Sequence, residues 1–104
     1  MNHVTKQQII SKIKKSLTNK VEKIYIIGSF LNENWDPHQS DIDIVCIDSS
    51  FVYFPYHVNL EDIKDALGKL PFRFDVFLYT WDQFYIRFEE DSGFKEWITG
   101  GTII

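Results

Sequence analysis

Gly28-Ser29 closes the apolar run Ile24-Tyr25-Ile26-Ile27, and eleven residues after Ser29 the segment Ser40-Asp41-Ile42-Asp43-Ile44-Val45-Cys46-Ile47 begins. A third acid, Asp75, sits within Phe72-Arg73-Phe74-Asp75-Val76-Phe77-Leu78. Carboxylates in segments that otherwise read as buried strands are costly. Out of water, each must be paired, take up a proton or bind a metal. Side chains alternate across a strand, so Asp41 and Asp43 share a face, roughly 7 Å apart at about 3.3 Å per residue. Ile42, Ile44 and Cys46 then face the other way. Two carboxylates on one face repel unless a cation lies between them. Mg²⁺ prefers hard oxygen ligands and keeps positions open for water and substrate phosphates. With Asp75 on a neighbouring strand, the three acids suit a pair of ions about 3.5–4 Å apart, the arrangement used for in-line phosphoryl displacement. At Gly28-Ser29, glycine permits close backbone approach, and backbone N–H groups with the Ser29 hydroxyl suit a triphosphate. The pattern predicts a metal-nucleotide site for nucleotidyl transfer.

Each residue also has a plainer explanation. Asp41 would serve as a solvated residue at a strand start, Asp75 as a partner of Arg73 or a lysine, and Ser29 as an ordinary turn residue. His38 is expected to be an exposed loop histidine. His57 has no cysteine or histidine at zinc-ligand spacing, so no zinc site is predicted. Trp35 is available to stack on a base or to pack inward, and Trp81, Phe84 and Phe88 recur at helical spacing as core. Glu89-Glu90-Asp91 is expected to be a solvated acidic helix end, at a terminus whose dipole disfavours anions.

The elements that must position these residues follow from local patterns. Thr5-Lys6-Gln7-Gln8 is a capping box, followed by Ile9, Ile10, Ile13 and Leu17 on one face of a helix to about Ser16. Lys23–Ile27 is a strand, residues 32–40 a polar loop containing Asp36-Pro37, and residues 41–47 a strand too apolar on both faces to be an exposed edge. Residues 51–57, aromatic but broken by Pro55, are expected to be loop. Asn59 is expected to cap a helix through Leu67 whose core side is Leu60, Ile63 and Leu67, stopped by Gly68. Residues 73–79 form a third strand. Thr80-Trp81-Asp82-Gln83 is a second capping box, opening a helix with Trp81, Phe84, Tyr85 and Phe88 on one side. Gly100-Gly101 is a turn, and residues 102–104 add a short last strand. The expected fold is α/β, a small mixed sheet flanked by helices.

A chain of 104 residues is read as one domain, 1–104, with room for a single core but not for a separate substrate domain. The one cysteine, Cys46, excludes an internal disulfide framework and reads as a small buried hydrophobe. No apolar stretch approaches the roughly 20 residues that span a bilayer, and no signal-peptide h-region follows the N-terminal lysines. A cytoplasmic location is expected, without membrane attachment. Residues 1–23 hold six lysines and one glutamate, against five Lys/Arg and fourteen acids in residues 24–104, for a net charge of −4. That balance argues against broad nucleic-acid binding, which draws its affinity from many phosphate contacts.

Gly28-Ser29, the Asp41-x-Asp43 pair with Ile44-Val45 after it, and the later strand acid Asp75 resemble the DNA polymerase β-type nucleotidyltransferase superfamily. The closest likeness is to the minimal nucleotidyltransferases, which are about this long and often encoded beside a helical HEPN-domain partner in toxin–antitoxin pairs. It extends over residues 21–104, including the tail Phe94-x-x-x-Ile98-x-Gly100-Gly101-Thr102-Ile103-Ile104. The resemblance implies that Asp41 and Asp43 bind Mg²⁺ or Mn²⁺ and that Asp75 completes the metal site and activates the attacking hydroxyl. It implies that Gly28-Ser29 holds the phosphates of ATP or another nucleoside triphosphate. The expected reaction is transfer of AMP to a hydroxyl acceptor, with an HEPN-type protein or a second copy of the chain as partner. The chain departs from the family after Ser29. Many members carry an Ala-Arg-Gly-like stretch there, whose arginine serves the triphosphate, whereas this chain has Phe30-Leu31-Asn32-Glu33. The departure leaves a second expectation, a non-catalytic antitoxin or interaction module with the same fold.

Overall fold

A computed structural model describes residues 5–104. Four strands form one mixed sheet in the order β3-β2-β1-β4, with β1 Lys23–Ile27, β2 Ile42–Ile47, β3 Phe74–Tyr79 and β4 Thr102–Ile103. β1 runs antiparallel to both β2 and β4, whereas β2 and β3 are parallel. A parallel pair needs a crossover, and helix α2, Tyr56–Leu67, supplies it. β2 is thus an interior strand, which is why both of its faces are apolar.

The two faces of the sheet carry separate cores. Ile24, Ile26, Ile42, Ile44, Val76 and Leu78 pack with Ile9, Ile13 and Leu17 from α1, Lys6–Ser16, and its C-cap, and with Ile63 and Leu67 of α2. On the other face Ile27, Val45 and Ile47 meet Phe84 of α3, Trp81–Glu90, and Phe94 and Ile98 of α4, Ser92–Thr99. Burying each such side chain contributes about 1.5–3 kcal/mol. Both capping boxes form, with the Thr5 and Thr80 hydroxyls accepting from the Gln8 and Gln83 amides. Cys46 lies in the first core as a free thiol, its pKa pushed up to about 12 by burial. Among the described residues no helix is long and apolar enough to cross a membrane.

The structure corrects the sequence reading in four places. Residues 51–57 are not loop: Ser49–Val52 is a 3-10 turn, and α2 begins at Tyr56 with Pro55 as its N-cap. Asn59 does not cap the helix. It is buried inside it, and its Nδ2 donates to the carbonyls of Phe51 (3.0 Å) and Phe54 (3.2 Å), fastening the preceding turn. Tyr85 stays exposed, while Phe84 takes the core position. Asp91 is not merely an acidic helix end, because its carboxylate caps α4 by accepting from Phe94 N at 3.0 Å and pairs with Arg87 of the preceding turn. That role resolves the apparent dipole conflict: Asp91 ends one helix and opens another, where a negative charge is favoured.

Candidate active site

The end of β1 turns sharply into the 3-10 segment Gly28–Leu31. Gly28 has φ +76°, a left-handed conformation that glycine adopts without a Cβ clash. A second constraint is spatial. Ile27 pairs with Asp43 across β1 and β2, so the Asp43 carboxylate lies over the turn, and a Cβ built on Gly28 would be 2.5 Å from Asp43 Oδ2. Gly28 therefore leaves room for a carboxylate. Ser29 follows with an exposed side chain, and Phe30 is buried against Trp35 with ring centroids 4.7 Å apart. Of the stretch Phe30-Leu31-Asn32-Glu33, Phe30 is buried and the three residues after it are exposed.

In the parallel register of β2 and β3, Asp43 pairs with Asp75. Paired residues on adjacent strands lie about 4.8 Å apart and point to the same face. This is the face of Val45, Ile47, Phe77 and Tyr79, at the end of the sheet that α3 and α4 leave open. Asp75 is exposed, and Asp43 is half-buried. Burial, then the charges of Asp75 and Asp41, hold the Asp43 carboxyl above its ordinary pKa. Asp43 thus feels the charges of both other acids.

Asp41 lies exposed just before β2, and Arg73 Nε is 3.2 Å from its Oδ1. The same guanidinium donates to the Gln39 carbonyl. Arg73 is consequently the partner of Asp41 and not, as the sequence also allowed, a buried partner of Asp75. Trp35 Nε1 donates to the Asp41 carbonyl at 3.2 Å, and its ring packs between Phe30 and Phe72. Trp35 packs inward and straps the loop to the strand it precedes. His38 is exposed, with its backbone amide bonded to Asp36.

Lys6 opens α1. Its Nζ donates to the Asn32 carbonyl at 2.6 Å and lies 5.3 Å from the Phe30 ring centroid, tying α1 to the far end of the Gly28–Leu31 turn. A contact between residues 26 apart leaves no local signal in the chain.

Among the described residues, no three His, Cys, Asp or Glu side chains form a ready-made metal cage. The donor set nevertheless suits a hard divalent cation. It is all carboxylate oxygen, its half-buried member is disfavoured as an anion by burial and by the neighbouring acids, and Mg²⁺ is usually held by one or two carboxylates plus substrate phosphates. Neither the comparison with curated proteins nor that with solved structures gave a match. The model of the nucleotidyltransferase domain, in contrast, matches residues 8–98, from within α1 to within α4, a span that includes Gly28, Ser29 and all three aspartates. Together with the four-stranded mixed sheet and its helices, which form a small polymerase β-like α/β fold, that match shows that the chain belongs to the nucleotidyltransferase domain family.

Proposed function

We propose that this domain transfers AMP from ATP to a hydroxyl acceptor, through Asp41, Asp43, Asp75 and the Gly28-Ser29 turn. The observation that carries the reading is the placement of Asp43 over Gly28 and in register with Asp75. Asp41 and Asp43 would hold Mg²⁺ or Mn²⁺, with Asp75 completing the set. A bound divalent cation supplies charge stabilisation for the triphosphate and the developing negative charge. Gly28 and Ser29 seat the phosphates, the glycine because its backbone admits close approach. The acceptor hydroxyl attacks the α-phosphorus in line, a new P–O bond forms, and the bond to the β-phosphate breaks to release pyrophosphate. Asp75, exposed beside the half-buried Asp43, takes the hydroxyl proton. An exposed carboxylate suits that task because the proton can pass on to water.

The acceptor is proposed to lie on a partner protein, a helical HEPN-type protein as the family likeness suggests. One experiment tests both parts. The chain is co-expressed with the product of the adjacent gene, the pair is purified, and the partner is weighed by mass spectrometry. An added AMP that disappears with Asp41→Asn and with Asp75→Asn is the expected outcome; an unmodified partner under saturating ATP and Mg²⁺ counts against transfer.

A second reading, a non-catalytic interaction module, is favoured by the stretch Phe30-Leu31-Asn32-Glu33 after Ser29, which lacks the arginine of the family's Ala-Arg-Gly-like stretch. A stable complex whose partner is unmodified, with no ATP binding to the chain, would select it.

A further inference from the structure

We infer that Arg73 is the triphosphate-holding cation of this domain and that, without nucleotide, it occupies Asp41 in place of a metal ion. The inference rests on the nucleotidyl-transfer reading above. It starts from a deficit: residues 30–34, Phe-Leu-Asn-Glu-Asn, offer no cation after the Gly-Ser turn, and Phe30 is committed to the core. A site of three carboxylates must still attract a polyanion.

Arg73 is a basic side chain in contact with one of those carboxylates, Asp41. Its backbone is fixed, since the Arg73 carbonyl accepts from Ile42 N at 2.8 Å, between Asp41 and Asp43. Its side chain is held only at the surface, by Asp41 and the Gln39 carbonyl: it is 65% exposed and the Asp41 side chain 53%. Exposed pairs of this kind are worth only about 0–1 kcal/mol, so a triphosphate or a divalent ion can displace either member. Phosphate is also the geometric match for a guanidinium fork, which binds it through two parallel N–H bonds. Exchange is then natural. A cation takes Asp41, Arg73 is released and turns to the phosphates that arrive with it.

This arrangement makes an unusual demand, because Arg73 opposes binding of the metal alone and favours binding of the nucleotide. Arg73→Gln should bind Mn²⁺ alone roughly two- to fivefold more tightly, since Asp41 is unmasked. The same variant should bind Mn²⁺-ATP about tenfold more weakly, for loss of a charge-assisted contact. Free Mn²⁺ is read by electron paramagnetic resonance and nucleotide binding by titration calorimetry. Arg73→Lys, which keeps the charge but not the fork, should hold the wild-type Mn²⁺ affinity and recover only part of the nucleotide affinity, with a far-ultraviolet spectrum unchanged from wild type. Opposite movement of the two affinities in Arg73→Gln supports the inference. Unchanged affinities overturn it and leave the transfer reading intact. Weakening of both together, or a Lys variant as poor as Gln in both, assigns Arg73 to structure and also overturns it. Wild-type protein that binds neither Mn²⁺ nor Mn²⁺-ATP removes the site itself, and the inference falls with it.

Discussion

The backbone of Gly28 lies against the carboxylate of Asp43, leaving no space for a Cβ: one built there would be 2.5 Å from Oδ2. Turn conformation and carboxylate placement are one constraint, since the pairing of Ile27 with Asp43 puts the acid over the residue at φ +76°. A change at either residue must move the other.

Gly28→Ala should therefore cost about 2 kcal/mol or more, combining a left-handed alanine with displacement of Asp43. A fall in Tm of roughly 10 °C is expected for a domain of this size. In an Asp43→Ala background the obstruction is gone and only the backbone penalty remains, so the same change should cost about 1 kcal/mol. A double-mutant cycle measures the coupling. Strict additivity would separate the turn from the acid.

The pH dependence of Asp43 has a definite sign. Burial, followed by the charges of Asp75 and Asp41, raises its pKa in the folded chain. Between the unfolded and folded values the folded state holds a proton that the unfolded state has lost, so stability falls as pH rises through that interval and returns as pH is lowered. Without metal, Asp43→Asn should be as stable as wild type or more so at pH 7. The gain should stay under about 1 kcal/mol for this half-exposed group, and it should vanish on acidification below the ordinary carboxylate range. Denaturant titrations at both pH values check it; an Asn variant weaker than wild type at pH 7 would contradict the repulsion.

Divalent metal should relieve the same repulsion. Mg²⁺ or Mn²⁺ at ten times its Kd stabilises the native state by about 1.4 kcal/mol, a rise in Tm of roughly 5–10 °C. Asp43→Asn should abolish that rise. Identical melting curves for wild type and variant with and without millimolar Mg²⁺ would show that these acids hold no metal.

Asn59 belongs to stability alone. Its amide closes two carbonyls of the turn before α2, those of Phe51 and Phe54. Asn59→Ala should cost about 1–3 kcal/mol in chemical denaturation while leaving Mn²⁺ and nucleotide affinity unchanged. Those groups lie toward the C-terminal ends of β2 and β3, whereas the aspartates lie toward the N-terminal ends. A variant of full stability would show that the turn carbonyls find other partners.

What the chain alone determined is whatever its near neighbours decide. The helix of Ile9, Ile13 and Leu17, the two threonine capping boxes and the strand Lys23–Ile27 depend on residues within a turn or a pleat of each other. The match of the nucleotidyltransferase domain model to residues 8–98 bears out the family-level expectation, and the mixed sheet bears out the fold class. The start of α2 was not legible, because Tyr56, His57 and Val58 are weak helix formers and Pro55 offers no side-chain cap. That turn is held from elsewhere, as when the Tyr56 hydroxyl accepts from Leu78 N at 3.3 Å. α4 was hidden for a related reason, since Asp91 serves two helices at once. Only the tertiary structure decided that Asp75 stands beside Asp43, that Arg73 chose Asp41, and that Lys6 reaches the Gly28–Leu31 turn. Strand register, ion pairing and side-chain hydrogen bonds across 26 to 32 positions are set by which apolar faces the two cores bury together, and no local pattern encodes that choice.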